Sequence, residues 1–162
     1  MREILDTSIN LELRIADIYK IHYDLFEEDK EFWWKLVIEE ESHAALLRSG
    51  KEHYLPANSF PEKILSPSIN RLLMSDKLTE EYMGKLKLGL VSREIALNTA
   101  YHFENMVGEL NFQIFMIKNT DEKLERIFQV LNQDSVDHAQ RILNYMSRNG
   151  IPVLESEEVF SY

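Results

Sequence analysis

Apolar residues recur every three or four positions along four long stretches of this chain, a spacing typical of helices that bury one face. Glycine and proline, which interrupt helices and shape the turns of β-rich proteins, number only 5 and 4 among 162 residues. The pattern predicts helices over residues 4–26, 29–53, about 88–117 (with a start anywhere from 79 to 88) and 120–148. The chain is therefore predicted to belong to the all-α class.

The segment after the second predicted helix breaks this pattern. It contains Pro56, Pro61 and Pro67, and it cannot form one helix because proline lacks an amide hydrogen and its ring clashes with the preceding turn. Ser66, followed by Pro67, is predicted to start a short helix that ends near Met74, since serine is a good N-cap and proline suits the first turn. The segment is interpreted as a long crossover rather than a tight turn.

Two short loops and one long connection are typical of a four-helix bundle with a single crossover. We expect the bundle to occupy residues 1–150, with the crossover at about 54–78, between helices 2 and 3. Asn149 and Gly150 precede a proline closely and form a helix stop. Residues 151–162 are therefore expected to form an extended C-terminal tail.

The chain is acidic, and its net negative charge argues against partners that are themselves negatively charged. Asp and Glu number 28 against 18 Lys and Arg, which gives a formal net charge of −10. Binding to nucleic acids or anionic membranes depends on basic patches, so neither partner is expected. The sequence has no stretch near the roughly 18 apolar residues of a membrane helix and no signal-peptide pattern at its start. A cytoplasmic location is therefore expected.

The chain contains no cysteine. Disulfides, thiolate nucleophiles, zinc–thiolate sites and iron–sulfur clusters are therefore excluded. The absence of cysteine also fits a reducing compartment. A rubredoxin-type appendage is excluded as well, because it would need cysteines.

Carboxylates and histidines interrupt the apolar stripes of all four predicted helices. They are Glu12 in the first helix, Glu40 and His43 in the second, Glu104 in the third, and Asp134 and His138 in the fourth. Burying a carboxylate is costly unless it is ion-paired or bound to a metal, so this set predicts a cation in the core. Glu-x-x-His on two helices with a Glu on each of the other two is the ligand pattern of di-iron carboxylate bundles. Glu39 and Glu41, which flank Glu40, are expected to face solvent.

The positions of these residues along the helices place them at one level of the bundle. Glu12 lies about fourteen residues before the end of helix 1, roughly 21 Å at 1.5 Å per residue, and His43 lies about as far after the start of helix 2. Glu12 and His43 are 31 residues apart, and Glu104 and His138 are 34 apart. This similarity indicates two copies of one helix–turn–helix unit. Glu94 is the alternative to Glu104, although its separation of 44 residues from His138 matches less well.

The segments LELRIADIY and EEESHAALL resemble the first half of a rubrerythrin-like domain of the ferritin-like di-iron family. In that family a Glu is followed by a small residue four positions later and a Tyr seven positions later, and then by Glu-x-x-His. The corresponding residues here are Glu12, Ala16, Tyr19, Glu40 and His43. The resemblance covers most of residues 1–50 and, more weakly, 88–148.

The resemblance implies a ferritin-like four-helix bundle that holds a carboxylate-bridged pair of iron ions and acts on peroxide or dioxygen, with electrons from a separate donor. The implied metal ligands are Glu12, Glu40, His43, Glu104, Asp134 and His138. Tyr19 is implied to contact a metal-bound carboxylate, and homodimers are expected. Oxygen and imidazole ligands also suit manganese, and zinc remains open.

Two positions depart from the family pattern. Ser135 stands three residues before His138, where a Glu would be expected, and Asn111 stands where a Tyr would be expected. Asp134 shares a helix face with His138 and is the nearest candidate carboxylate. The alternative function is therefore a degenerate ferritin-like bundle with one metal ion or none, in a structural or partner-binding role.

Overall fold

The computed structural model describes residues 1–62, 65, 68–106, 114–131 and 138–161. In chain order its helices are α1 (Arg2–Leu25), α2 (Lys30–His53), α3 (Ile69–Lys87), α4 (Arg93–Glu104), α5 (Lys123–Leu131), α6 (His138–Arg148) and α7 (Ser156–Phe160), with a 3-10 turn at Glu27–Asp29. No strand is present within the described ranges, which confirms the all-α class. None of these helices is both long enough and apolar enough to cross a bilayer.

α1 and α2 form an antiparallel hairpin. Near its outer end Lys51 pairs with Asp6, and nearer the turn Lys20 pairs with Glu41 at 2.8 Å. The predicted bounds of both helices agree with the structure to within two residues, the usual uncertainty of helix ends. The sequence prediction is confirmed here because both helices present a regular apolar face to each other.

Buried apolar residues form two clusters, one on each side of a polar layer in the hairpin. The cluster nearer the turn includes Ile15, Ile18, Trp33, Leu36 and Val37. The cluster farther from the turn includes Leu5, Ile9, Ala44 and Leu47. Fully burying such a side chain is worth about 1.5–3 kcal/mol, so the two clusters hold the helices together on both sides of the polar residues.

The N-terminus of α3 has a serine cap. The side chain of Ser68 accepts a hydrogen bond from the amide of Arg71 at 3.4 Å, which satisfies one of the free donors at the start of the helix. Ser66 and Pro67, which the sequence analysis placed at this helix start, lie outside the described residues.

α3 is longer than predicted. The expectation of a short helix ending near Met74 is wrong, because the helix continues for more than three further turns. Its buried residues recur at helical spacing and one face packs against α1: Leu72, Ser75, Thr79, Tyr82 and Leu86. The helix ends where Gly89 adopts a φ of 69°, a conformation that glycine takes without steric cost. Much of the crossover predicted at 54–78 is therefore helical.

α4 starts later than the range 79–88 that the sequence analysis allowed for helix 3. Ser92 caps it, and its last residue is Glu104. Residues 107–113 lie outside the described residues, and 114–117 are again helical. The predicted start of helix 3 is wrong because α3 uses the residues before 88 for a separate helix.

The fourth predicted helix, 120–148, is described as α5 and α6, and residues 132–137 between them lie outside the described residues. Thr120 accepts a hydrogen bond from the amide of Glu122 at 3.2 Å, so it forms a turn just before α5. α6 packs against α4. The predicted stop after α6 is present, since Gly150 has a φ of 67°.

The C-terminal segment is not an extended tail throughout. The side chain of Asn98 donates to the carbonyl of Pro152 at 3.0 Å and accepts from the amide of Leu154 at 2.8 Å, which fastens the segment to α4. α7 follows, and its Val159 is only 1% exposed. The prediction of extended chain over 151–162 is therefore wrong for α7, because one apolar residue in this acidic stretch has a buried site to occupy.

Candidate metal site

Five of the six predicted ligands come from four helices and lie in one buried layer. They are Glu12 of α1, Glu40 and His43 of α2, Glu104 at the end of α4 and His138 at the start of α6. Each is at most 6% exposed. The sixth, Asp134, lies outside the described residues, as does Ser135. The structure brings these five residues together in two overlapping groups, and their binding of a metal stays a prediction.

The first group of converging side chains is Glu12, Glu40 and His43. Nδ1 of His43 lies 3.8 Å from Oε2 of Glu12 and 3.4 Å from Oε2 of Glu40. One donor atom from each residue lies within 4.8 Å of the other two. Since metal–ligand bonds of about 2.0–2.2 Å place two donors on one ion up to roughly 4.2 Å apart, a small contraction brings this group to bonding distance.

The second group is Glu40, Glu104 and His138. Nδ1 of His138 lies 3.2 Å from Oε2 of Glu104 and 3.6 Å from Oε1 of Glu40. The donor atoms of this group also lie within 4.8 Å of one another. Glu40 therefore belongs to both groups and faces each of them with a different oxygen.

The two histidines hold the groups side by side. The rings of His43 and His138 are stacked, with centroids 5.2 Å apart and an interplanar angle of 12°. In both rings Nδ1 is the nitrogen closest to Glu40. The arrangement is that of two adjacent three-residue sites with one carboxylate between them.

Several carboxylate oxygens in this layer lack hydrogen bonds. Oε2 of Glu12 and both oxygens of Glu40 are fully buried, and they accept no hydrogen bond from any residue that the structure describes. Leaving a buried polar atom unsatisfied costs about 1–3 kcal/mol, and more for a charged group. A cation between the carboxylates would satisfy these oxygens, so the residues present fit a bound metal.

The carboxylates of this layer differ in acidity. Burial raises the pKa of Glu12 to about 7. Burial, together with the charge of Glu40, also raises the pKa of Glu104. Burial acts in the same direction on Glu40, but the neighbouring His138 and His43 outweigh it and its pKa is lowered. Glu40 is therefore the member of the set that keeps its negative charge most readily.

The histidine of the second group is basic. Burial lowers the pKa of His138, but Glu104 and Glu40 outweigh it and raise the pKa to about 9. A proton on this ring supplies the positive charge that the surrounding carboxylates need. Because a metal requires a neutral imidazole, a metal that binds here would release that proton.

The choice between Glu94 and Glu104 is settled by their positions on α4. Glu94 is exposed in the first turn, whereas Glu104 is 2% exposed at the end of the helix. Glu104 is thus the residue of this pair that reaches the buried layer.

Tyr19 contacts one of the carboxylates. Its hydroxyl donates a hydrogen bond to Oε1 of Glu104 at 3.0 Å. The ring is fully buried and packs against Trp33, with centroids 5.7 Å apart. Tyr19 therefore fixes the carboxylate of Glu104 with its other oxygen toward His138.

Sequence reasoning missed Glu39. The expectation that it faces solvent is wrong, because its side chain is only 18% exposed and Arg141 donates two hydrogen bonds to it, at 2.7 and 2.5 Å. The expectation holds for Glu41, which is exposed. The available signal was the spacing on α6, where Arg141 stands three residues after His138 and so on the same face.

Comparisons of the chain with protein families, with curated proteins and with solved structures found no match. The chemistry of the buried layer is therefore what indicates a function.

Proposed function

We propose that this chain binds two metal ions, iron in the first instance, with Glu40 as the carboxylate between them. The observation that carries this proposal is the shared position of Glu40, whose two oxygens face two different histidines at 3.4 and 3.6 Å. Glu12 and His43 would complete one ion's protein ligands, and Glu104 and His138 the other's.

The fold that goes with this function is a ferritin-like four-helix bundle. α1, α2, α4 with the helical residues after it, and α5 with α6 would be its four helices, and α3 would lie within the crossover. Contacts between the two halves support this arrangement, because Tyr19 of α1 reaches Glu104 of α4 and Glu40 of α2 reaches His138 of α6. A rubrerythrin-like relationship would explain the same helix order.

Iron suits this set of oxygen and imidazole donors, which manganese or zinc would also accept. When bound, a pair of ferrous ions supplies two electrons, which together with two protons reduce hydrogen peroxide to two molecules of water. Dioxygen is the other candidate substrate. The chain has no cysteine for an electron-transfer cluster, so a separate protein would donate the electrons that restore the ferrous state.

The protein's own contribution is to exclude bulk water and to orient the donors. The five converging side chains are at most 6% exposed, so an ion among them would be surrounded by protein groups rather than solvent. The hydroxyl of Tyr19 fixes one oxygen of Glu104, so the other oxygen stays directed at His138.

A homodimer is part of the proposal. Trp34 and Ile38 lie four residues apart on the outer face of α2, and each is 48% exposed. Two large apolar side chains on adjacent turns would be covered by a second copy of the chain. Light scattering after size-exclusion chromatography measures the mass, and a monomer of the wild type would contradict this part.

The deciding experiment is the metal content of protein purified without oxygen and supplied with ferrous iron. Elemental analysis should give two irons per chain, and the anomalous signal of a crystal should place both beside Glu40. Oxidation should then produce the absorption of an oxo-bridged ferric pair.

The competing function, a structural bundle with one ion or none, predicts a different result. Ser135, which stands where a ligand Glu would be expected, favours it. In that case iron would remain below two per chain, and where no ion is bound chelation would leave the melting temperature unchanged. That outcome would overturn the proposed di-metal function.

A further inference from the structure

Glu39 and Arg141 form a second contact between α2 and α6, directly beside the contact of Glu40 with His138. Nη1 and Nη2 of Arg141 donate to Oε1 and Oε2 of Glu39 at 2.7 and 2.5 Å. Such two-point contacts between a guanidinium and a carboxylate fix orientation as well as distance. The carboxylate of Glu39 is thus held in one place at the edge of the buried layer.

That place is on the far side of the His138 ring from the candidate metal positions. Nδ1 of His138 faces Glu104 at 3.2 Å and Glu40 at 3.6 Å, whereas Nε2 faces Oε2 of Glu39 at 3.5 Å. Nε2 is fully buried and forms no hydrogen bond within the part of the chain that the structure describes, and the Glu39 carboxylate is the charged group that faces it. Glu39 is therefore the acceptor available to a proton on Nε2.

The tautomer of His138 decides whether it can bind a metal. A neutral imidazole carries one N–H and one lone pair. With the proton on Nε2, the lone pair lies on Nδ1 and is directed at the groups around Glu40. With the proton on Nδ1, the lone pair would be directed at Glu39, away from the metal positions.

We propose that Glu39, held by Arg141, is a positioning residue that keeps the proton of His138 on Nε2 and its Nδ1 lone pair toward the metal. This inference rests on the proposed function. Metal-binding histidines commonly donate their second N–H to a carboxylate, and removing that partner weakens metal binding about 10- to 100-fold. The same size of effect is expected here.

The test uses the full chain loaded with zinc, which is diamagnetic and accepts the same donors. Nitrogen NMR of histidine-labelled protein distinguishes a metal-bound nitrogen from a protonated one, and the His138 signals are identified by their loss in His138→Gln. In the wild type Nδ1 of His138 should be metal-bound and Nε2 protonated.

Glu39→Ala should weaken zinc binding at the position of His138 about 10- to 100-fold and should abolish the single protonated-Nε2 signature. Glu39→Gln retains an acceptor oxygen and should preserve that signature, with a smaller loss of affinity. Glu52→Ala is the matched control, since Glu52 is exposed on the same helix. It should behave like the wild type.

Two results separate this inference from the proposed function. If the wild type binds no zinc, the di-metal function fails and the inference fails with it. If the wild type binds two zinc ions and Glu39→Ala binds them equally well with Nε2 of His138 still protonated, only the inference is overturned.

A further variant covers the case in which Glu39→Ala does not fold, as circular dichroism would reveal. Arg141→Lys keeps the positive charge but replaces the two-point contact with a single one. It should weaken zinc binding in the same direction as Glu39→Ala. Unchanged affinity in Arg141→Lys and in Glu39→Gln, with an unchanged nitrogen spectrum, would overturn the role of this pair.

Discussion

The hydroxyl of Tyr19 on α1 donates a hydrogen bond to Oε1 of Glu104 on α4 at 3.0 Å, while Oε2 of the same carboxylate lies 3.2 Å from Nδ1 of His138 on α6. Three helices from both halves of the chain therefore meet at one carboxyl group. The contact matters for stability and for metal binding. Because Oε1 accepts the hydrogen bond from Tyr19, Oε2 is the oxygen of Glu104 that remains to face His138 or a metal ion.

Removing that hydroxyl should affect both properties. Tyr19→Phe leaves Oε1 of Glu104 buried without its donor, and such a loss costs about 1–3 kcal/mol of unfolding free energy. Zinc affinity should fall about 10- to 100-fold, as for other groups that orient a metal ligand. Urea unfolding and zinc titration measure the two effects.

The matched control for Tyr19→Phe is Tyr23→Phe, since Tyr23 is on the same helix and only partly buried. Its unfolding free energy and zinc affinity should match those of the wild type. Equal behaviour of the two variants would show that the hydrogen bond to Glu104 contributes nothing specific.

Glu40 and Glu12 should differ in how many ions they hold. Glu40→Ala removes the carboxylate common to both groups and should abolish binding of both ions. Glu12→Ala removes a ligand of one group only and should leave one ion per chain. Elemental analysis after gel filtration gives the stoichiometry, with exposed Glu41→Ala as the control. Two ions in Glu40→Ala would disprove the shared position.

The buried residues of this site could be predicted from the sequence because helical periodicity marks the inward face. Glu12 and Glu40 occupy positions of their apolar stripes, and both are buried as that pattern requires. Matching their distances from the turn also identified the level at which they meet. Periodicity and helix rise are local properties, so they can be read without knowing the packing of the chain.

The partly buried position of Glu39 could not be predicted from helical periodicity. Two carboxylates, Glu40 and Glu41, follow it in the sequence, and its position beside the apolar stripe is compatible with solvent. Only the crossing of α2 and α6 brings Arg141 to it, and that crossing depends on side chains from both halves of the molecule. The length of α3 was missed for a related reason, since its one buried face becomes evident only against α1.

Metal should stabilise the fold, since the unfolded chain has no preformed site. Free zinc at 100 times its Kd adds about 2.7 kcal/mol, which for a chain of this size raises Tm by roughly 5–10 °C. Differential scanning calorimetry with zinc, and again after excess chelator, measures the shift. Glu40→Ala should show no shift. A stable apo protein whose Tm does not change when zinc is added would contradict the proposed metal site.

His22 should make stability depend on pH, independently of the metal. It is fully buried, and burial lowers its pKa from about 6.5 to about 3. Between these values the unfolded chain binds a proton that the folded chain does not. The contribution of neutral His22 to the free energy of unfolding is therefore fully present above about pH 6.5. It declines as pH falls, by about 2 kcal/mol at pH 5.

The measurement for His22 is urea unfolding at pH 7 and pH 5 with chelator present. His22→Gln removes the titrating group and should lose less stability between the two pH values than the wild type, by about 2 kcal/mol. His53→Gln, a change at an exposed histidine of α2, should keep the wild-type difference. Identical pH dependence in His22→Gln and the wild type would rule out this role.

Asp29 should stabilise the end of the molecule away from the metal. It is 1% exposed, it accepts two hydrogen bonds from Arg93, both at 2.7 Å, and it accepts a third from the hydroxyl of Tyr145 at 2.6 Å. Burial raises its pKa, but Arg93 and Tyr145 outweigh burial and the pKa lies below the usual value. The stabilisation of the fold by ionised Asp29 is therefore present above about pH 4. It is lost as pH falls through the lowered pKa of Asp29.

Asp29→Asn should reduce the unfolding free energy at pH 7 by about 1–3 kcal/mol, since Arg93 and Tyr145 both lose a charged acceptor. Arg93 is partly exposed, and water will screen part of the loss. Glu28→Gln, whose carboxylate lies 3.4 Å from the same arginine but is 60% exposed, should change stability by less than about 0.5 kcal/mol. Because neither residue approaches Glu40, iron content should be two per chain in both variants. A loss of iron in Asp29→Asn at unchanged stability would mean that this end of the molecule shapes the metal site directly.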